Sequence, residues 1–347
     1  MNRGDKDPGV LLVGNFLSAS GKNPQVSEQM AAALRARGWP VVTTSTQTNR
    51  VARMADMVAT AWRRRHDYSV AHVDVFSGPS FIWAEAVSGV LRSLGKPYVL
   101  TLRGGSLPEF ARNSPTRVRS VLTAAAVVTT PSRYLAEHMA PYCPELILIP
   151  NPIDLGRYPD RTREKFQPSL VWLRAFHHIY NPTLGPRVVA LLRPTFPDVT
   201  LTMIGPDKGD GSLQEVQAVA HELDVADRLT LPGRVEKTLV PEWLGHHDVF
   251  INTTNVDNTP VSVIEAMACG LCVVSTDVGG IPYFLDHEVD SLLVPPDDAS
   301  AMADAVARIL TEDGLAARLS RKGRTKAETC DWSRVLPRWE RLFSGLG

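Results

Sequence analysis

Val249-Phe250-Ile251-Asn252-Thr253-Thr254-Asn255-Val256-Asp257-Asn258-Thr259-Pro260-Val261-Ser262-Val263-Ile264-Glu265-Ala266-Met267-Ala268-Cys269-Gly270 reads as an apolar strand, a polar loop and a helix. Pro260 stands near the first helical position and Gly270 just past the last, the expected punctuation of a helix over Val261–Ala268. The first N–H groups of such a helix have no partner inside it, and its dipole favours negative charge at that end. The spacing therefore predicts an anion site suited to a phosphate. Two carboxylates flank it: Asp257 in the loop and Glu265 on the helix, eight positions later. A loop acid, a helix N-terminus and a helix acid, in that order, suit a sugar, a diphosphate and a ribose. The plainer alternative, an ordinary strand–loop–helix unit with two solvated acids, also fits this stretch taken alone.

Outward from this stretch the same alternation runs along the chain. Strands are expected at Val10–Val13, Val41–Thr44, Val70–Val75, Tyr98–Leu102, Ala126–Thr130 and Leu146–Ile149, with amphipathic helices between most of them. After a proline-rich, charged stretch read as a linker over 153–168, the pattern restarts. Strands follow at Leu170–Leu173, Val199–Ile204, Val249–Ile251, Leu271–Ser275 and Leu292–Val294. Strands alternating with helices predict parallel, doubly wound sheets, and 347 residues are enough for two of them. The expected domains are 1–152 on the acceptor side, 169–328 on the donor side, and a last helix within 329–347 that crosses back to the first domain.

Composition excludes several classes. Hydrophobic residues at 44% and charged residues at 21% describe an ordinary globular protein, and no run of 18 apolar residues reads as a spanning helix. Nucleic acid is excluded as a partner, because no basic stripe with interleaved aromatics occurs. The four cysteines form no disulfide framework, and Cys269 and Cys272 read as buried thiols because no second pair completes a zinc site. No metal-ligand spacing appears elsewhere. Charge is uneven: residues 1–160 hold 18 Lys and Arg against 12 Asp and Glu, and residues 161–347 hold 19 against 25. The basic first half, with Arg63-Arg64-Arg65 and Arg112, Arg117 and Arg119, suits weak peripheral contact with an anionic membrane surface, or simply a solvated face. The loop Gly14-Asn15-Phe16-Leu17-Ser18-Ala19-Ser20-Gly21-Lys22-Asn23 fails as a phosphate loop, since six residues rather than four separate its glycines and Asn23 replaces Ser or Thr.

The second half closely resembles the family-4 retaining glycosyltransferases of the GT-B fold. The residues that carry the resemblance are Ile149-Pro150-Asn151-Pro152-Ile153-Asp154, Met203-Ile204-Gly205-Pro206, Leu231-Pro232-Gly233-Arg234-Val235, Asn258 through Gly270, Val274-Ser275-Thr276-Asp277-Val278-Gly279-Gly280-Ile281-Pro282 and Leu292-Leu293-Val294-Pro295-Pro296-Asp297-Asp298. Their order and spacing match through about residues 145–310, whereas the first half matches at few positions, among them Gly14, Gly104-Gly105 and Ser132.

The resemblance implies two Rossmann-like domains facing across a cleft. It implies a nucleotide-diphosphate sugar as donor, UDP-linked first by family frequency, with retention and with no metal or other cofactor required. Asp257, with the backbone of Asn258 and Thr259, would hold the sugar, and Glu265 the ribose. Arg174 would bind the diphosphate together with the N–H groups of Val261, Ser262 and Val263, at the helix start that Pro260 opens. Gly205 and Gly233-Arg234-Val235 would line the nucleotide, with Gly14, Gly21 and Lys22 facing it from the first domain. Three departures stand out. The first acid is Asp257 rather than Glu. No lysine follows Arg174, so the second cation is absent or comes from Lys22, or His177 or His178 does part of its work. Arg103 stands where many members carry histidine before Gly104-Gly105, which suits a uronic-acid donor or an anionic acceptor.

The expected activity is retaining transfer of a sugar to an acceptor hydroxyl in polysaccharide, glycolipid or glycoside synthesis. The acceptor would be a glycan, a lipid-linked sugar or a small molecule, and the setting cytoplasmic or at the cytoplasmic face of the membrane. A GT-B epimerase or phosphorylase, and a non-catalytic nucleotide-sugar- or glycan-binding module, remain open alternatives. So does the oligomeric state.

Overall fold

The structure, a computed structural model, describes residues 9–20, 24–161 and 165–347. It divides into two units, one of residues 1–152 with 332–347 and one of residues 153–331.

The first unit runs β1 (Val10–Val13), α1 (Val26–Ala36), β2 (Val41–Thr44), α2 (Arg50–Arg63), β3 (Val70–Val75), α3 (Phe81–Ser93), β4 (Tyr98–Leu102), α4 (Leu107–Asn113), α5 (Pro115–Leu122), β5 (Val127–Thr130), α6 (Arg133–Met139) and β6 (Leu146–Leu148). The second runs β7 (Ser169–Leu173), α7 (Leu184–Leu192), β8 (Thr200–Ile204), α8 (Ser212–Glu222), β9 (Leu229–Gly233), α9 (Val240–Gly245), β10 (Val249–Asn252), α10 (Val261–Ala268), β11 (Cys272–Thr276), β12 (Leu292–Val294), α11 (Ala299–Thr311) and α12 (Leu315–Glu328). A last helix, α13 (Trp332–Ser344), belongs to the first unit. Its buried Val335, Leu336, Trp339 and Phe343 join Leu12, Met30, Leu34 and Trp39 in one apolar cluster. The sequence pattern does not announce the helices α4 and α5 or the strand β9: each is short, and proline sits in or beside it.

Each unit contains a six-stranded parallel sheet, ordered β2-β1-β3-β4-β5-β6 in the first and β12-β11-β10-β7-β8-β9 in the second. Strands such as Val10-Leu11-Leu12-Val13 and Cys272-Val273-Val274-Ser275-Thr276 are buried along their whole length. Helices cover both faces, so both faces need apolar or satisfied side chains, and the runs are continuous rather than alternating. Two apolar clusters in each unit lie on the opposite faces of its sheet.

Strand order reverses once in each sheet. The reversal lies between β1 and β3 in the first unit and between β7 and β10 in the second. In open α/β sheets ligands bind outside the carboxyl ends of the strands at such a point. The stretch 153–168, expected as a linker, contributes buried Ile153 and Tyr158 to a core cluster of the second unit.

Candidate active site

β10 ends at Asn252 and the loop after it starts with Thr253 and Thr254, all three buried. Their hydroxyls and amide fix the loop before it reaches its acid. Trp172 Nε1 donates to Thr253 Oγ1 at 2.9 Å, Thr253 Oγ1 donates to the Tyr180 carbonyl at 2.6 Å, and Thr276 Oγ1 donates to the Thr254 carbonyl at 2.6 Å. The Asn255 N–H donates to the Ile179 carbonyl at 2.9 Å. The loop after β10 is thereby tied to the loop after β7, which carries Arg174.

Arg174 and Asp257 meet as an ion pair at this reversal point, with side chains 16% and 14% exposed. The guanidinium also lies 4.8 Å from the centre of the Tyr180 ring. Burial pulls Arg174 down to about 10, while Tyr180 and the charge of Glu265 act to hold it up, so it stays charged at neutral pH. Its Nε is buried and without a hydrogen-bond partner among the described residues. Asp257 Oδ1 accepts the N–H of Asn258 at 2.8 Å.

Gly279 and Gly280 support this loop from behind. The Gly280 N–H donates to the Asp257 carbonyl at 2.9 Å. A Cβ on Gly279 would lie 2.2 Å from that carbonyl oxygen, and one on Gly280 2.0 Å from the Asn258 carbonyl oxygen. The paired glycines thus allow two backbones to touch, and Gly279 has the positive φ of +55° that glycine adopts without strain. Gly205 plays the same part on the other side: a Cβ there would fall 1.6 Å from the Arg174 carbonyl oxygen. Its N–H donates to the Gly233 carbonyl at 2.9 Å. Gly205 therefore packs against the backbone of Arg174, and Gly233, at φ +73°, turns the chain out of β9 into the exposed Arg234 and half-buried Val235.

The helix α10 opens at Pro260 with no side-chain cap. Around its start, Asn258, Thr259 and Ser262 are each 8% exposed, and Asn258 Oδ1 and Ser262 Oγ are buried without a partner among the described residues. Buried polar atoms are ordinarily paired, so these mark a polar surface fit for a ligand.

Glu265, in the second half of α10, is 2% exposed. It accepts the Tyr158 hydroxyl at 2.5 Å and pairs with the Lys237 ammonium. Burial and the charge of Glu265 both push the Tyr158 hydroxyl upward, so it remains a donor. Neither Tyr158 nor Lys237 stands out in the sequence. One lies in the stretch read as a linker and the other is a lone lysine four residues past Gly233.

Near Arg174, His177 Nδ1 accepts the Ile179 N–H at 3.2 Å, while His178 Nε2 lies 2.9 Å from the Asp210 carbonyl oxygen and the His178 backbone N–H donates to Asp210 Oδ2 at 2.8 Å, so both rings are engaged in the surface loops. Gly21 and Lys22 lie outside the described residues.

At the reversal point of the first unit, Arg103 is not a free cation awaiting a ligand. Its Nε donates to Asp74 Oδ1 at 2.8 Å and its Nη1 to Asn151 Oδ1 at 2.8 Å, leaving Nη2 buried and without a partner among the described residues. Asp74 Oδ2 accepts the Ser27 hydroxyl. Burial opposes ionisation of Asp74, but the Arg103 charge and these hydrogen bonds outweigh it and lower the carboxyl below its ordinary value. Gly14 faces this carboxylate: a Cβ there would lie 2.8 Å from Asp74 Oδ2. Arg103, expected to face an anionic sugar or acceptor, is held by Asp74 within the first unit. Gly14 leaves room for a protein carboxylate.

Comparison with known proteins places the chain. Residues 168–312 match the family model described as glycosyl transferases group 1. A D-inositol 3-phosphate glycosyltransferase of Xylanimonas cellulosilytica is 30% identical over 150 residues, which is 43% of this chain and 36% of the relative. One from Pseudarthrobacter chlorophenolicus is 24% identical over 270 residues, covering 74% of this chain and 64% of the relative. The chain thus spans between about a third and two thirds of the length of these relatives. Among solved structures, Anabaena Alr3699/HepE in complex with UDP superposes with a TM-score of 0.78 at 16% identity, covering 97% of this chain and all of that one. At that identity the likeness shows the fold, and the fold is GT-B, with two Rossmann-like parallel sheets.

Proposed function

We propose that the chain, whose residues 168–312 match the model described as glycosyl transferases group 1, transfers a sugar, with retention, from a nucleotide-diphosphate donor to an acceptor hydroxyl. The transfer serves polysaccharide, glycolipid or glycoside synthesis. A UDP-sugar is the first donor to test, since the structural neighbour is bound to UDP. The observation that carries the reading is the meeting of Arg174 and Asp257 beside the uncapped start of α10, with Glu265 further along the same helix.

The chemistry follows from charge. As the nucleoside diphosphate leaves, negative charge grows on its phosphates. Arg174 and the first N–H groups of α10 stabilise that charge in a site already partly dry. The diphosphate takes over Arg174 from Asp257, and Asp257 is then free to accept sugar hydroxyls and to face the positive charge that builds at the anomeric carbon. Glu265 takes the ribose hydroxyls. The leaving phosphate accepts the proton of the acceptor hydroxyl on the same face of the sugar, so the side chains position rather than exchange protons, and no metal has a step in this scheme.

A melting-temperature panel with UDP, GDP and ADP, repeated on Glu265→Ala, tests the reading. A ligand at 100 times its dissociation constant stabilises by about 2.7 kcal/mol. One nucleotide should raise the melting temperature of the wild type and not of the variant. If none of the three moves the wild type, the donor-site reading fails.

A further inference from the structure

We propose that Lys237 is a positioning residue that holds Glu265 as an acceptor for a vicinal diol, and so makes the site prefer ribonucleotides to 2′-deoxyribonucleotides. This rests on the reading of α10 as part of a nucleotide-sugar site.

Three observations carry it. First, Glu265 is buried, and a buried carboxylate requires donors to stay in place. Second, both of its protein donors fall on one oxygen: the Tyr158 hydroxyl and the Lys237 ammonium meet at Oε1. A carboxylate offers about four acceptor positions, two on each oxygen. With those of Oε1 taken, the pair on Oε2 matches the two hydroxyls of a cis-diol. Third, Arg174 is near enough to feel the charge of Glu265. A Glu265 released from Lys237 would be drawn toward Arg174, so losing the diol acceptor and occupying the cation that the diphosphate needs.

The two clamping groups come from opposite directions along the chain. Tyr158 reaches in from the stretch before β7, and Lys237 from the loop after β9, with its side chain 28% exposed. Lys237 spends one of its three N–H donors on Glu265, leaving two to face oxygen atoms of a bound nucleotide. Nothing in the sequence pairs positions 237 and 265. Only the fold brings the loop after β9 beside α10.

The experiment is a set of dissociation constants for UDP, GDP and ADP and the 2′-deoxy form of each, on the wild type, Lys237→Met, Lys237→Arg and Tyr158→Phe. For the nucleotide that binds, Lys237→Met should weaken the ribo form about tenfold, the worth of one charge-assisted bond, and the deoxy form by less than about twofold. Lys237→Arg should restore most of the preference. Tyr158→Phe, which leaves the ammonium in place, should show the same selective loss in smaller measure and keeps the test open if Lys237→Met does not fold. Equal weakening of both forms, or no change in their ratio in Lys237→Met and Tyr158→Phe alike, overturns the inference while leaving the transferase reading intact. A wild type that binds no nucleotide removes that reading and the inference with it.

Discussion

Where strand order reverses in the first unit, Asp74 sits on Ser27, the second residue of α1, and takes Nε of Arg103. Where it reverses in the second unit, α10 opens with no side chain capping it, and its cation, Arg174, holds an acid from a loop. Both sheets thus bring a cation, an acid and a helix start to the same topological place. In the first unit the protein's own carboxylate sits there, in contact with the cation and the helix start. In the second, Asn258 Oδ1 and Ser262 Oγ are buried without a partner among the described residues. Topology alone therefore does not make a site. What distinguishes the two is whether the acid also holds the helix start: Asp74 accepts the Ser27 hydroxyl of α1, whereas no side chain caps α10.

The sharpest way to break this contrast is Arg103→Ala. It leaves Asp74, 6% exposed, without its cation, and breaking a buried pair in this way costs about 3–5 kcal/mol. Chemical denaturation followed by the intrinsic fluorescence of Trp39 and Trp339 should register that loss, and the affinity of the intact protein for nucleotide should be unaltered. A loss of nucleotide affinity with stability preserved would assign Arg103 to ligand after all. Arg174→Ala should differ in its effect on rate. Turnover falls by about 10²–10³, as for removal of one preorganised donor, and stability falls as well because Asp257, 14% exposed, loses its cation. Initial rates with the donor identified by the nucleotide panel decide it.

A third, smaller effect belongs to pH. His72 is fully buried, with Nε2 2.7 Å from Thr101 Oγ1 and its ring edge-on to Trp339. Burial lowers it to about 4, with Asp74 acting against and Arg103 adding to that shift. Between about pH 6.5 and pH 4 the unfolded chain binds a proton on this residue that the folded one refuses. Stability of the first unit should therefore fall as pH drops through that window, by at most about 3 kcal/mol. His72→Asn should flatten the slope of denaturation midpoint against pH. An unchanged slope would mean that the imidazole is charged inside the fold.

Much of this architecture is legible in the local order of residues. The apolar runs that form both sheets, and the helix bracketed by Pro260 and Gly270, signal themselves through periodicity and punctuation. So does the loop that delivers Asp257. The partners of the charged groups do not. Tyr158 and Glu265 are 107 positions apart, and Ser27 and Asp74 are 47 apart. Polar contacts of that kind obey no period, and a lone lysine such as Lys237 looks like any surface charge until β9 and α10 are placed side by side. For the same reason Arg103 reads as a ligand group in the sequence and as half of an internal pair in the fold. The glycines show a milder version. Gly205, Gly279 and Gly280 are conspicuous as residues, but their reason, contact with the backbones of Arg174, Asp257 and Asn258, is tertiary.

The return of α13 to the first unit has a consequence for synthesis on the ribosome. The second unit is one uninterrupted segment, complete once Asp331 has emerged. The first unit is translated earlier, yet one face of its sheet, with Leu12, Met30, Leu34 and Trp39, waits for Trp339 and Phe343. The usual vectorial order, N-terminal domain first, is thereby inverted. The half made first stays greasy on one side until α13 arrives, and that interval is when a holdase would find it.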